Sequence, residues 1–357
     1  MDLDGLPKKA LLRWEFMVRI VLAVSVPLLI NVMVAGDLVG GGAWAALVAV
    51  LVSLSYLGKD LGDLRWSIIS VIGAPVALVL GVALAGAIAP GLLFVFALYV
   101  WQGVMMQAGR LADLAWFPVS SAGLLAVVLG QDSVQNGASI ASVAAGGAWA
   151  FALMVVVPII VRPPLLPIPA AALAPDRESI RLAVTSPTFN RWAFPLLGGT
   201  LAAGLLVVAD WLTGGFKPYW AVFALVSVLG PTAAQTKKSA AATVMGSGLG
   251  VVVAGLLLIA DLPAAASVTI AVLLGAVGAL LLLVAGVLSK ALITPLPVVL
   301  AALAIGTPAS SAIGWRFAQF VLGAGVAFAV AGLAERLSRR LVEEREAAAE
   351  EDDHPVG

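Results

Sequence analysis

Apolar runs of about 20 residues, set between short polar breaks, fill this chain nearly end to end. A run of that length crosses the hydrocarbon core of a bilayer as a helix. Lipid cannot satisfy a bare backbone group, so such runs have to be helical. Hydrophobic residues make up 62% of the 357 residues and charged residues only 11%, with a mean hydropathy of +1.08. A soluble domain of this size would lack the polar surface that water requires. The 20 basic and 20 acidic residues cancel, which gives no reason to expect a nucleic-acid partner. There is no cysteine, so disulfides, thiol chemistry and cysteine metal sites are excluded. The single histidine, His354, falls in a charged tail and reads as solvated. Lys8 and Lys9 precede an apolar stretch from Phe16, as in a signal peptide. That stretch is long and has no clean small-residue cleavage site, so it reads as an uncleaved first span.

The apolar runs also come as two similar sets of six. Arg13-Trp14-Glu15-Phe16 opens the first and Arg191-Trp192-Ala193-Phe194 the second. Gly42-Ala43-Trp44-Ala45 is matched by Pro218-Tyr219-Trp220-Ala221, and Ala150-Phe151-Ala152 by Ala327-Phe328-Ala329. The offsets stay within 176 to 178 residues, the mark of an internal duplication. Spans are expected at 16–35, 43–57, 66–85, 91–107, 114–129 and 138–161, then at 193–211, 219–235, 240–259, 264–288, 292–305 and 312–333. The second, fifth and eleventh are short for a spanning helix and must be broken, tilted or shielded by neighbours.

Eighteen of the 20 basic residues fall at the termini, the central linker or one set of loops, while only Lys217 and Arg316 fall on the other side. That other side carries the lone acids Asp37, Asp132, Asp210 and Asp261. The asymmetry puts both termini in the cytoplasm, and the expected location is the inner membrane of a bacterial cell. Eight of the 10 tryptophans, all but Trp101 and Trp149, lie near expected helix ends, as an interfacial belt requires. Six spans per half return each half to its starting side, so the repeat is parallel and its axis runs along the membrane normal. The expected fold is an all-α integral membrane protein of about twelve transmembrane helices in two parallel six-helix repeats. Residues 1–162 form the first repeat, 163–190 a proline-rich cytoplasmic linker, 191–337 the second repeat and 338–357 a charged cytoplasmic tail. The seam between the halves is the natural place for a pathway.

The segment from Pro218-Tyr219-Trp220-Ala221 to Leu229-Gly230-Pro231-Thr232 resembles a signature of the fusaric acid resistance protein-like family, in which an aromatic-Trp pair opens a short apolar helix ending near proline. Lys237-Lys238 followed by Gly246-Ser247-Gly248-Leu249-Gly250 is similar to that family's basic stretch and glycine-containing helix. Leu292-Ile293-Thr294-Pro295-Leu296 resembles its Thr-Pro fifth helix, and residues 316–323 its closing Arg and Gly element. The first half carries the likeness more weakly, through Trp44, Gly73, Gly81 and Pro118. Alanines at 240–242 stand where the pattern usually has an arginine. The resemblance implies a compact aromatic acid exporter or anion channel without large cytoplasmic domains.

Ionisable groups inside spans are the usual markers of transport. Arg316 is the first candidate, about one turn into the last helix against the charge trend, with Gln319 one turn on along the same face. A guanidinium there would attract a departing carboxylate, or it would simply snorkel outward. Arg19, four residues after Glu15 at the inner edge of the first helix, is either an ion-pair partner on that face or an interfacial anchor. Gln102, with Gln107, Asn31, Ser120 and Ser121, lines a route or bonds across helices. Thr294, at the Thr294-Pro295-Leu296-Pro297 break, sits where freed backbone groups line a site or where a kink merely aids packing. Tyr99 and Trp101 suit stacking on an aromatic solute, or a lipid- or core-facing role. No acid falls near the middle of a span, which favours anion exit driven by the membrane potential, or proton coupling through edge groups such as Asp113 or Glu15.

The resulting expectation is an exporter of organic anions, most simply aromatic or amphipathic carboxylates, with no cofactor, no metal and no enzymatic activity. The other readings are a passive anion channel, a major-facilitator-type transporter, and a non-transporting scaffold for a periplasmic adaptor. Residues 58–65 are faintly similar to the major-facilitator loop signature, but with the wrong spacing. The expected partners are membrane lipids and a small organic anion, with a periplasmic adaptor subunit and a homo-oligomer left open.

Overall fold

The computed structural model describes residues 14–35, 41–53, 61–85, 87–108, 110–135, 140–161, 189–213, 219–229, 233–260, 262–281, 285–305, 318–333 and 336. Within them the regular structure is entirely α-helical. The first half contributes α1 (Trp14–Ala35), α2 (Gly41–Ser53), α3 (Leu61–Leu84), α4 (Ile88–Ala108), α5 (Arg110–Gln135) and α6 (Ile140–Val161). The second contributes α7 (Phe189–Thr213), α8 (Tyr219–Val228), α9 (Ala233–Ile259), α10 (Ala264–Leu280), α11 (Gly286–Ile293), α12 (Pro295–Ile305) and α13 (Ala318–Leu333). Among the described residues, six segments are long and apolar enough to cross a membrane: Trp14–Ala35, Ser67–Leu84, Ile88–Ala108, Ala141–Ile160, Trp192–Leu212 and Thr236–Ile259. The described residues are thus helical throughout their regular structure, with spans that fit a membrane protein. The linker at 163–188 and the tail from 338, with His354, lie outside the described residues.

Several helix ends differ from the sequence expectation. The fifth helix runs over 110–135 rather than 114–129, because Arg110 and Asp113 continue its first turn. The tenth stops at Leu280 rather than near 288. The eleventh span divides into α11 and α12, as its Thr-Pro pair requires. Proline at 295 has no N–H to offer the preceding turn. Thr294 still has helical angles (φ −57°, ψ −37°), and its own N–H reaches the Lys290 carbonyl at 3.1 Å. The result is a break in the hydrogen-bond ladder without a reversal of the chain. Pro118, by contrast, sits inside a continuous α5.

The short helices α2 and α8 explain how they need not face lipid. Residues 42–50 of α2 are all buried, and in α8 Trp220, Ala221, Val222, Ala224, Leu225 and Val228 are buried as well. Longer helices surround them. Asn31 of α1 holds the start of α2, its Oδ1 accepting the Gly42 N–H at 3.1 Å. Trp149 of α6 donates its indole N–H to the Leu22 carbonyl at 2.9 Å. These bonds tie helices together where the apolar effect cannot, since lipid is as apolar as the core.

Close approach at glycine does the rest. A Cβ on Gly103 would come within 2.7 Å of Pro195, and one on Gly199 within 2.7 Å of the Phe96 carbonyl, so α4 and α7 meet backbone to backbone. A Cβ on Gly146 of α6 would strike the Ala45 carbonyl of α2, and one on Gly323 of α13 the Ala221 carbonyl of α8. Within the halves, α3 packs along α5 and α9 along α11, again at glycines. Between the halves, α1 packs on α10 and α4 on α7, while α2 packs on α12 and α5 on α8.

Candidate functional site

Among the described residues, three places where polar side chains meet bear on the sequence candidates. The first is the start of α1. Glu15 and Arg19 are both buried there, with Arg19 stacked 4.4 Å above the Phe16 ring. One guanidinium N–H donates to the Ser53 carbonyl at 2.9 Å. Ser53 ends α2, where carbonyls lack intrahelical partners and the helix dipole is negative, so a cation is well placed.

The second place lies between α4 and α5. Gln102 is 1% exposed. Its Nε2 donates to the Asp113 carboxylate at 2.5 Å, and its Oε1 accepts the Ser120 hydroxyl at 2.9 Å. A carboxylate, an amide and a hydroxyl thus form one line from the first turn of α5 inward. Trp116 braces it, donating to the Leu98 carbonyl at 3.1 Å and meeting Trp101 edge-on at 6.1 Å. The hydroxyl of Ser121, next to Ser120 and fully buried, has no partner among the described residues.

The third place lies between α9 and α11. The Lys290 ammonium donates to the Thr243 hydroxyl at 2.5 Å, and Thr294 donates to the Lys290 carbonyl at 2.6 Å.

The seam between the halves is apolar and aromatic. Phe117 of α5 meets Phe223 of α8 at 6.4 Å, and Trp220 lies 6.0 Å from the same ring. Leu296 and Leu300 of α12 are fully buried on the other flank, where α12 meets α2. In the first half a small apolar cavity of about 10 Å³ lies under Trp44, walled by Leu47, Ala74, Leu78, Pro118 and Ala122. That is close to the room one water needs, but the walls offer a water no partners.

Of the five residues singled out by sequence, Arg316 lies outside the described residues. Gln319 is buried on α13, Gln102 belongs to the α4–α5 line, Arg19 caps α2, and Thr294 forms the α11–α12 joint. The four described residues are spread over four places and are not drawn into one pocket. Asn31 and Ser120 bond across helices, and Tyr99 takes the core-facing place among its readings. The Lys290–Thr243 pair was not singled out. Its signal was present, since Lys290 and Thr294 lie one turn apart on the α11 face that meets Gly246 and Gly250.

The family model described as fusaric acid resistance protein-like matches residues 196–330. Residues 196–330 are fusaric acid resistance protein-like. This bears out the resemblance read from Trp220, Lys237, the 246–250 glycines and Thr294-Pro295. The fusaric acid resistance protein-like segment runs from α7 into α13 and contains the third polar place whole. No curated protein and no solved structure matches the chain. The family matched over residues 196–330 is one of efflux, or resistance, type, and the long apolar helices fit a membrane protein. The family is one of transporters and not of enzymes.

Proposed function

We propose that this chain is a single-chain exporter of organic carboxylates. Two like-oriented six-helix halves enclose the route, and both termini lie in the cytoplasm of a bacterial cell. The reciprocal packing of the helices carries this reading. The first helix of each half packs on the fourth of the other, and the second of each half packs on the fifth of the other. A two-fold axis along the membrane normal produces such pairs. The directions agree. Gly103 faces Pro195 while Gly199 faces Phe96, so α7 runs antiparallel to α4 and hence parallel to α3 and α5. This supports a parallel duplication with the solute path along the seam.

Arg316 and Gln319 serve the outer end of that path, and Arg19, Gln102 and Thr294 lie on its helices. The membrane potential, or the proton motive force, drives export. An anion leaving an inside-negative cell gains about 2.3 kcal/mol per 100 mV, and about 1.4 kcal/mol sustains a tenfold gradient. In proteoliposomes at fixed pH, benzoate efflux should rise steeply with an imposed potential of the exporting sign. Arg316→Ala should insert normally and export slowly. Flux that ignores both potential and pH gradient would remove the exporter and leave the scaffold reading.

A further inference from the structure

An indole N–H or a hydroxyl that is buried normally finds a partner. Two at the seam do not. Trp44 of α2 is 1% exposed, and its N–H meets no acceptor among the described residues. Ser121 of α5 is wholly buried, and its hydroxyl likewise has no partner among them. A helical serine usually turns back to a carbonyl of the preceding turn. Ser120 beside it does so, reaching the Phe117 carbonyl at 3.1 Å, but Ser121 makes no such bond.

Both donors border one gap in the packing. The cavity of about 10 Å³ has Trp44 of α2 on one side and Pro118, Ala122 and Leu125 of α5 on another. Ser121 stands three residues after Pro118 and four before Leu125, on that same stripe of α5. The two helices also face the second half. α2 packs on α12, which touches α5 as well, and α5 packs on α8. Phe117, one turn before Ser121, meets Phe223 of α8, and Phe223 meets Trp220. An aromatic row that crosses between the halves thus starts one turn from the unmet hydroxyl. Packing does not ask for that hydroxyl. At an offset of 177 residues in the duplication, Val298 takes the place of Ser121 and is buried too.

We infer that the Trp44 indole N–H and the Ser121 hydroxyl are the carboxylate-holding donors of the solute route, and that the cavity between their helices is this site in its closed form. The inference rests on the export reading and deepens it. A hydrogen bond to an ionised oxygen is shorter and stronger than one between neutral groups. Two uncharged donors still hold an anion less tightly than a fixed cation does, as suits a site that must also let go. The cavity is too small for a solute as it stands, so α2 and α5 part to admit one. The Phe117 and Phe223 rings then lie beside its apolar body. Without a solute the helices close on an apolar gap and the donors stay unmet.

Binding is measured on the purified full chain in detergent, as the rise in melting temperature with benzoate, and with neutral benzamide as control. The wild-type chain should be stabilised saturably by benzoate and not by benzamide. Ser121→Ala and Trp44→Phe each remove one donor. Without benzoate, Ser121→Ala should melt no lower than the parent, since it breaks no hydrogen bond. With benzoate, each variant should raise the half-maximal concentration about tenfold, as loss of a hydrogen bond to a charged group does. An unchanged half-maximal concentration in either variant overturns the two-donor site, and is what a gap that holds only water would give. Should Trp44→Phe not fold, Ser121→Ala decides alone. A lower melting temperature of Ser121→Ala without benzoate would mark a structural hydroxyl and overturns the site as well. So does a wild-type chain that ignores benzoate or answers benzamide equally. Flux separates the two claims. Binding that needs both donors, with no export by the wild type, removes the export reading alone. Export by the wild type that both variants match removes the site alone.

Discussion

Gly323→Ala should leave little monodisperse protein in mild detergent, whereas Gly325→Ala, two residues along the same helix, should melt no lower than the parent. At Gly323 the added methyl would fall on the Ala221 carbonyl oxygen, with the Ala224 Cβ 3.0 Å away. The obstacle is backbone in the first turn of α8, so no rotamer change relieves it. The helices must separate, which exposes Ala327 and Leu225, now buried. Overpacking a core costs about 1–3 kcal/mol, and more where backbone must move. At Gly325 a Cβ meets nothing within 4 Å, and alanine is the better helix former by about 0.5–1 kcal/mol. The relevant comparison is the difference in melting temperature between the two variants. Equal melting would show that α13 does not seat on α8. Gly146→Ala, which meets Ala45 in the same way, should behave like Gly323→Ala.

Gln102→Leu should cost nearly as much. One amide serves two partners, giving a hydrogen to Asp113 and taking one from Ser120. Leucine fills the volume but removes the hydrogen bond that each partner makes to the amide. Each buried polar group left unmet costs about 1–3 kcal/mol, more for a charged one. Ser120→Ala alone should be milder, because that hydroxyl also reaches the Phe117 carbonyl at 3.1 Å and no carboxylate is stranded. The double variant should therefore be more stable than the sum of the singles predicts, the sign of a shared network. Strict additivity in the melting temperatures would contradict the line as drawn.

Which parts of this could be read in the sequence follows from what fixes them. Helices in lipid are dictated by chain composition alone, so the long spans were legible, as was the break at Thr294-Pro295, where proline removes a donor. The helix at 264–280 was drawn too long because Leu281 to Ala285 is as apolar as the helix itself, and hydropathy has no signal for where a helix stops within an apolar run. The burial of α2 and α8 follows from long-range packing at Gly146 and Gly323, which local pattern cannot reveal. The site was harder still. Gln102 was visible as a polar residue in a span, but its partner Asp113 was read as an edge group, since the true start of α5 was missed. Lys290 was counted only toward orientation, because its bond to Thr243 depends on how α11 meets α9.

The chain has no native cysteine, so single cysteines report sidedness cleanly. Ala35 ends α1 and Leu212 occupies the matching place on α7, and both are exposed. Ala35→Cys and Leu212→Cys are each treated with a membrane-impermeant maleimide in intact cells and again after lysis. Two like-oriented halves predict that both react from outside. If one reacts in intact cells and the other only after lysis, the halves point in opposite directions, and the shared route between them is gone.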